Sequence, residues 1–372
     1  MLYNIIELTS AQFIRKFIDL PNFVYQNNQY YVQPLRSEVK DKINPRKNPF
    51  LKYGIIKLFG VINNESALVG RIVAIINPNY DKIHGIKCGF FGMFESINDI
   101  QVASLLINRV KMFLKEKDCS MLVGPVNFTT NDESGVLIDG FNYEPSFMCS
   151  YNENYYPILL EHCGLKKGVD LLAFIGFVDH MYPEKFSRII NRVKGNPNIV
   201  LRTFDKNKKN EDTETICKIY NESFKDVWGF VPLTLDEANN LTKKFLAFYD
   251  PELIWIAFVG RKPVGFILGL PDINKILKTI NGRLFPVGII KFYLNKNKID
   301  SLRVLALGVL PAFRGLGLES ILINKIHSRM KTKVYKTAEL SFIIENNYRM
   351  RKVLENLGFK VYKRYRIYKA NI

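Results

Sequence analysis

The chain has few cysteines and histidines and no long apolar run. Its 372 residues include five cysteines and four histidines, and these do not form the closely spaced pairs that typically bind zinc. Uninterrupted apolar stretches such as residues 254–260 fall well short of the roughly 20 residues that a membrane-spanning helix needs. These absences predict no metal, no disulfide framework and no transmembrane segment.

The N-terminal residues show no secretory signal. Residues 1–17 (MLYNIIELTSAQFIRKF) lack the succession of a basic start, an apolar core and a small-residue cleavage site. We therefore expect a cytoplasmic protein whose cysteines are reduced.

Positive charge is in large excess. Lysine and arginine number 53 against 35 aspartates and glutamates, which gives a formal net charge of +18. Such an excess favours anionic partners, including nucleotides and the headgroups of an anionic membrane, although a compositional bias with solvated lysines is the alternative. Because no helix-turn-helix pattern is present, nucleic acid is not the expected partner. Peripheral contact with the inner membrane is a further expectation.

The order of predicted elements suggests two similar folds. The length exceeds the ~100 to 200 residues of a typical single domain. In the first half, a helix, the hairpin 52–77, a strand, the helix 97–117 and another strand follow one another. Asn98 or Asp99 is the expected N-cap of the helix 97–117. After a polar, basic stretch at 185–198 the same order recurs. We predict a mixed α/β chain, with α+β mixed sheets, whose domains span 1–185 and 198–372.

A glycine-rich turn in the second half carries the clearest functional signal. Residues 305–326 (LALGVLPAFRGLGLESILINKI) read as an apolar strand, a turn and an amphipathic helix. Glycine at positions 315 and 317 lets the backbone approach a phosphate, and the amides at the start of a helix point at that anion. An ordinary strand-to-helix turn is the alternative. The pattern predicts a pyrophosphate-binding loop.

These residues resemble motifs A and B of the GNAT acyltransferase superfamily. The resemblance rests on VLPAFRGLGL (309–318), ENN (345–347) and LENLGF (354–359). It implies a fold that uses acyl-CoA as co-substrate, without a metal, to acylate an amine. Ala312 stands where the family has Gln or Arg, and Glu319 stands where a small residue is usual, which places an acid beside the phosphate site.

The resemblance also implies which residues react. Family members splay two parallel strands, here 306–309 and 340–344, so that a thioester lies between them and an amide polarises its carbonyl. Glu345, at the end of the second strand, is the implied base, and an N-cap role is its alternative. Leu354 replaces a tyrosine that acts as general acid in many members, which leaves Tyr348 or water to protonate the thiolate. The implied donor-binding residues are Leu307, Val309, Arg314, Gly315, Leu316, Gly317, Leu318 and Asn347.

Other stretches resemble the YghO-like tandem GNAT proteins of bacteria. They include GPVNFTTNDESGVLIDGF (124–141), WGFVPLT (228–234), NGRLFP (281–286) and ELSFIIENN (339–347). This group includes the bacterial ceramide synthases, which N-acylate a sphingoid base. The resemblance implies two tandem GNAT-like folds, of which the C-terminal one has the intact acyl-CoA loop. The candidates on the acceptor side are Trp228, Asn281, Arg283 and Phe285.

The first half lacks the glycine pattern of the second, and the second half has an unusually apolar segment. The loop 92–100 (GMFESINDI) has no Gly-x-Gly and contains Glu95 and Asp99, so we expect no coenzyme A there. The apolar segment 284–294 (LFPVGIIKFYL) is bordered by lysines. It lines an acyl tunnel, contacts a membrane surface or is a buried insertion on the sheet.

Two rival functions stay open on the sequence. One is an aminoacyl-tRNA-dependent transferase that builds peptide bridges, because tandem GNAT folds also serve that chemistry. The other is a non-catalytic module that binds acyl-CoA.

Overall fold

The computed structural model describes residues 2–372, apart from the side chain of Val287. The chain forms two compact units. The first contains the chain up to Leu171 together with 277–289 and 363–372, and the second contains Leu172–Ile276 and Ile290–Tyr362. The division into 1–185 and 198–372 stays a prediction, because compact units and repeated folds need not share boundaries.

The helices and strands predicted from the sequence occur in the predicted order, and further elements lie between them. In residues 4–177 the structure contains β1 (Asn4–Glu7), α1 (Ala11–Val24), α2 (Arg36–Lys42), β2 (Ile55–Ile62), β3 (Leu68–Ile76), α3 (Pro78–His84), β4 (Cys88–Ser96), α4 (Ile100–Lys115), β5 (Met121–Gly124), β6 (Val136–Asp139), α5 (Tyr156–His162) and β7 (Lys166–Phe177). The remainder contains α6 (Glu184–Lys194), β8 (Ile199–Thr203), α7 (Lys209–Phe224), α8 (Leu235–Phe245), β9 (Ile254–Val259), β10 (Lys262–Pro271), α9 (Asn274–Ile280), α10 (Val287–Asn295), β11 (Ser301–Val309), α11 (Leu318–Thr332), β12 (Thr337–Ile344), α12 (Tyr348–Asn356) and β13 (Lys360–Asn371).

In the first unit the strands lie in the order β1-β2-β3-β4-β5-β13. Strands β4 and β5 are parallel, and β13 pairs antiparallel with β5. Helix α4 buries one apolar face on this sheet, with Val102, Leu106 and Val110 in the core. Asp99 caps this helix by accepting a hydrogen bond from the amide of Gln101 at 2.8 Å, which confirms one of the two N-cap candidates.

In the second unit the strands lie in the order β12-β11-β10-β9-β8. Strands β11 and β12 are parallel, whereas β10 pairs antiparallel with both β11 and β9. Helix α11 packs against this sheet because Leu318, Ile321 and Leu322 form a fully buried stripe. The order of helix, hairpin, strand, helix and strand therefore occurs in each unit.

The polar, basic stretch at 185–198 is not a bare linker. Most of it forms α6, whose Phe186, Ile190 and Val193 are buried. The helix packs on α11. Its three buried apolar residues follow helical spacing, which the abundance of charged neighbours masks in the sequence.

The apolar segment 284–294 forms most of α10 and the turn before it. The buried-insertion interpretation is wrong for four of its large side chains, because Phe285, Ile290, Tyr293 and Leu294 are 79%, 59%, 61% and 70% exposed. Within residues 2–372, no helix combines the length and the apolar character needed to cross a bilayer.

Candidate functional site

A V-shaped gap opens between β11 and β12. The two strands pair in parallel from Ser301 and Thr337 only as far as Val304 and Leu340. Beyond that point β11 continues to Val309, still paired with β10, and β12 continues to Ile344, but the two strands no longer pair with each other. Three residues of β11 in this part, 305–307, are half-buried. The splay that the family resemblance implied is present.

The backbone of β11 is turned so that amides face this gap. The register with β10 shifts between Leu268 and Gly269, which leaves Leu305 as an extra residue in β11. The amide of Leu310 donates to the carbonyl of Val264 at 2.8 Å. Successive N–H groups of an antiparallel strand point alternately towards and away from the partner strand. The N–H of Val309, next to that of Leu310, therefore points away from β10 and towards the gap. This amide is available to polarise a carbonyl placed there.

The two glycines of the loop serve different purposes. Both have left-handed backbone conformations, with φ of 88° at Gly315 and 86° at Gly317. A Cβ on Gly315 would have no atom within 4 Å, so this part of the loop is open to a ligand. A Cβ on Gly317 would lie 2.7 Å from Ile189 and 2.9 Å from Val193, so the second glycine lets α6 approach.

The first turn of α11 has no side-chain cap. Gly317 is its N-cap residue, and the first amide bonded within the helix is that of Ile321, which donates to the Gly317 carbonyl at 3.1 Å. The preceding amides, 318–320, have no partner in the helix and carry the positive end of its dipole. They suit an anion such as a diphosphate. Leu318 is fully buried, so only its backbone amide faces such a ligand.

The side chain of Arg314 ties the loop to neighbouring elements by hydrogen bonds. Its guanidinium donates to the carbonyl of Val309 at 3.3 Å and to the carbonyl of Ser223 at 2.8 Å. These bonds join the loop to the end of β11 and to α7. The predicted contact between Arg314 and the donor stays a prediction, as do the donor contacts of Leu307, Leu316 and Asn347.

One arginine pairs with Glu319, the unusual acid of the loop, and a second arginine lies near Gly317. The carboxylate of Glu319 accepts a hydrogen bond from Arg349 of α12 at 2.8 Å. A guanidinium nitrogen of Arg192, on α6, lies 3.9 Å from the place that a Cβ on Gly317 would take. Sequence reasoning missed both arginines, since neither lies near the loop in sequence. The charge of Arg349 offsets that of Glu319, and Arg192 adds a positive charge near the loop.

Removing the partner of Glu319 is expected to weaken donor binding. In Arg349→Ala the carboxylate of Glu319 faces a diphosphate without compensation, and we expect the Kd for coenzyme A to rise about 5-fold at low salt. Isothermal titration calorimetry measures the effect. The double variant Glu319→Gln/Arg349→Ala should regain most of the affinity, since it lacks the repulsive charge. Equal losses in the single and double variants would contradict this role.

Asn347, and not Glu345, caps the helix that follows β12. Asn347 caps α12 by accepting a hydrogen bond from the amide of Met350 at 3.2 Å, so the N-cap interpretation of Glu345 is wrong. The carbonyl of Glu345 accepts a hydrogen bond from Arg351 at 2.9 Å, which holds the backbone at this point. Tyr348 is 70% exposed, whereas Leu354 is fully buried. The role of Glu345 as base and that of Tyr348 as acid stay predictions.

The acceptor-side candidates fall into both units. Trp228 belongs to the second unit and is 38% exposed. Asn281, Arg283 and Phe285 belong to the first unit, where the carbonyl of Gly282 accepts the amide of Arg36 at 3.0 Å. Their contacts with an acceptor stay predictions.

The corresponding gap in the first unit is filled by its own chain. Strands β4 and β5 pair only from Cys88 to Phe90, and β4 then continues to Ser96 paired with β3 but not with β5. The side chain of Asn127 accepts a hydrogen bond from the amide of Met93 at 3.0 Å. A Cβ on Gly92 would lie 2.3 Å from the Val126 carbonyl. The amide of Ile97 donates to the carbonyl of Val69 as that of Leu310 does to Val264, so Ser96 corresponds to Val309. The amide of Ser96 donates to the hydroxyl of Tyr156 at 3.1 Å and so has an internal partner.

Glu95, the acid of the first-unit loop, is part of a buried network. Its carboxylate accepts hydrogen bonds from Tyr25 and Tyr156, each at 2.6 Å, and from Arg71 at 3.4 Å. Burial raises the pKa of Glu95 and holds the pKa of both tyrosines well above the usual range. Asp99 caps α4 by accepting the amide of Gln101, which places a carboxylate where a phosphate would bind. These contacts give a physical reason for expecting no coenzyme A in the first copy.

Comparison with known proteins agrees with this geometry. Residues 213–359 match the Acetyltransferase (GNAT) family. The chain is 30% identical to Protein YghO of Escherichia coli (strain K12) over 366 residues, which are 96% of this chain and 93% of that protein. It is 28% identical to the bacterial ceramide synthase of Caulobacter vibrioides over 373 residues, 98% of this chain and 96% of that protein.

Solved structures show the same fold. This chain aligns with a tandem GNAT protein from the clavulanic acid biosynthesis pathway at a TM-score of 0.59 and 11% identity. The alignment covers 100% of this chain and 98% of that protein. A GCN5-related N-acetyltransferase from Sphaerobacter thermophilus covers 99% of this chain with 95% of its own, at a TM-score of 0.56 and 13% identity. The expected class, a mixed α/β chain of two tandem GNAT-like folds, is confirmed. The splayed strands and the open glycine loop are consistent with the similarity to YghO along nearly the whole chain. This protein therefore belongs to the GNAT acyltransferase family as a tandem member.

Proposed function

We propose that this acyltransferase uses acyl-CoA as donor and that its acceptor is the primary amine of a sphingoid long-chain base, so that the product is an N-acyl lipid of the ceramide type. The observation that supports the donor is the pairing of an open, uncapped glycine loop with a V-shaped gap in the second unit. The similarity to a ceramide synthase over 98% of the chain supports the acceptor.

The reaction follows from the residues around the gap. The diphosphate of the donor binds the amides at 315–320, and the thioester carbonyl accepts a hydrogen bond from the N–H of Val309. Glu345 takes a proton from the acceptor, and the neutral amine attacks the carbonyl carbon. A C–N bond forms and the C–S bond breaks. As the C–S bond breaks, the nitrogen releases its remaining extra proton to water. The leaving thiolate takes up a proton from Tyr348 or from water, since Leu354 offers none.

The test is a direct measurement of product. Purified protein is incubated with sphinganine and either palmitoyl-CoA or acetyl-CoA, while released thiol is measured and the lipid is analysed by mass spectrometry. We expect an alkali-stable amide from palmitoyl-CoA. The matched control is the N,N-dimethyl form of the same base, which has the same chain but no N–H to replace.

Other outcomes separate the alternatives. Thiol release with small amines but not with sphinganine would reject the lipid acceptor and leave the donor chemistry standing. Transfer from a charged tRNA in the absence of acyl-CoA would point to peptide-bridge synthesis instead. Binding of coenzyme A without turnover on any amine would identify a non-catalytic module.

A further inference from the structure

We propose that α10 and the turn after it form a docking surface for an anionic lipid bilayer. The surface consists of Ile290, Tyr293 and Leu294 with the lysines at 296 and 298, and we call it the α10 surface. Bilayer binding needs neither acyl-CoA nor an amine. The proposal therefore goes beyond the proposed function and is tested separately.

The apolar part of the α10 surface lies on one helical face. Ile290, Tyr293 and Leu294 are spaced i, i+3 and i+4, which places them side by side. They are 59%, 61% and 70% exposed. A helix that serves only to cover a protein core buries such a stripe. Here the stripe faces outward, as it does in helices that lie in a membrane interface.

The charged part has one sign. Between Asp272 and Asp300 the sequence has five lysines and one arginine and no acidic residue. Two of these lysines, 275 and 278, pair with Asp300 and Glu144, so the charge next to the stripe comes from Lys296 and Lys298. Lys296 and Lys298 are exposed in the 3-10 helix that directly follows α10. The ammonium group of Lys296 lies 5.1 Å from the ring centre of Tyr293, so the charge borders the apolar stripe. Lysines so placed reach lipid headgroups while the stripe enters the acyl boundary.

Charge also selects a bilayer over a second copy of the chain. A symmetric dimer through this face would bring two segments of the same positive charge together. Anionic headgroups supply the opposite charge and accept apolar side chains at the same depth. The surface therefore fits phosphatidylglycerol-type membranes better than itself.

Co-sedimentation with vesicles tests the proposal. We expect the full chain to bind vesicles of phosphatidylcholine mixed with phosphatidylglycerol, to bind phosphatidylcholine alone weakly, and to lose affinity as salt rises. Ile290→Ser/Leu294→Ser should lower the partition coefficient at least about 10-fold through lost apolar burial. Lys296→Glu/Lys298→Glu should lower it at least about 10-fold through lost attraction.

Matched controls lie elsewhere on the chain. Met112→Ser/Ile158→Ser removes two side chains that are 60% and 56% exposed on other helices. Lys206→Glu/Lys208→Glu changes the same Lys-Asn-Lys sequence, also in a 3-10 helix. Both controls should bind as the unchanged protein does. A Tyr293→Trp variant should shift its fluorescence to the blue on binding, against the baseline of the two native tryptophans.

Three results would overturn the proposal. The first is unchanged binding in the Ile290→Ser/Leu294→Ser variant. The second is an equal loss in the two lysine variants, which would show that net charge alone attracts the protein. The third is a dimer in solution that this serine variant converts to a monomer, which would assign the surface to a second copy. Acyl transfer to a soluble amine, measured in parallel, shows whether the proposed function fails independently.

Discussion

Replacing Glu345 by glutamine is expected to lower kcat for acyl transfer at least about 100-fold, the usual contribution of a general base. Glu345 directly follows β12, where that strand has diverged from β11. The variant keeps the shape of the side chain and the backbone contact with Arg351, but it cannot take a proton. The KM for acyl-CoA should stay near its original value, because the donor contacts lie at the loop. Thiol release under saturating donor measures the effect.

A neighbouring acid provides the control for this variant. Glu355 lies on α12 and pairs with Arg351 at 3.8 Å, so Glu355→Gln changes a carboxylate outside the gap. Its kcat should match that of the unchanged protein. The deficit of Glu345→Gln should also shrink as pH rises, because more of the acceptor amine is then deprotonated in solution. Full activity in Glu345→Gln, or an equal loss in both variants, would reject Glu345 as the base.

Substituting Gly315 by alanine is expected to raise the Kd for coenzyme A at least about 10-fold, because each hydrogen bond to a charged group is worth about 1.5 to 3 kcal/mol. The open space around the Gly315 Cβ position is the space into which the diphosphate must come. Its φ of 88° also strains any residue with a Cβ, which displaces the neighbouring amides. Calorimetric titration of coenzyme A measures the loss.

Gly260→Ala is the matched control for the loop variant. Gly260 lies in the β9-β10 hairpin of the same unit, has a φ of 59° and has nothing within 4 Å of its Cβ position. Both alanine substitutions strain a backbone with positive φ and should lower the free energy of unfolding similarly, so the melting temperature should fall by similar amounts. Only Gly315→Ala should lose affinity for coenzyme A. A comparable loss in Gly260→Ala would mean that general destabilisation, and not the loop, explains the effect.

Features that depend on neighbouring residues were predictable from the sequence. The hairpin of β2 and β3, the Asp99 cap of α4 and the strand-loop-helix at 305–326 all appear as expected. Each follows from local periodicity or from one side chain that bonds a nearby amide. The same holds for the difference between the two loops, because only one contains Gly-x-Gly.

Features that depend on distant residues were not predictable. Arg314 bonds a carbonyl on α7, and Glu319 pairs with an arginine 30 positions later. Gly317 is needed because α6 packs against it, and charged neighbours hid that helix in the sequence. The filling of the first-unit gap by Asn127 belongs to the same class. None of these contacts has a signal in the spacing of residues along the chain.

The sequence alone determined that this protein has mixed α/β folds of the GNAT type, with an anion-binding loop in the second half, because strand, glycine turn and helix are encoded in consecutive residues. Only the tertiary structure decided where β11 and β12 part, which charges compensate Glu319, and that the stripe on α10 faces outward. It also decided that residues 363–372, at the end of the chain, complete the first unit. Such outcomes depend on which surfaces pack together, and packing joins residues that are far apart in sequence.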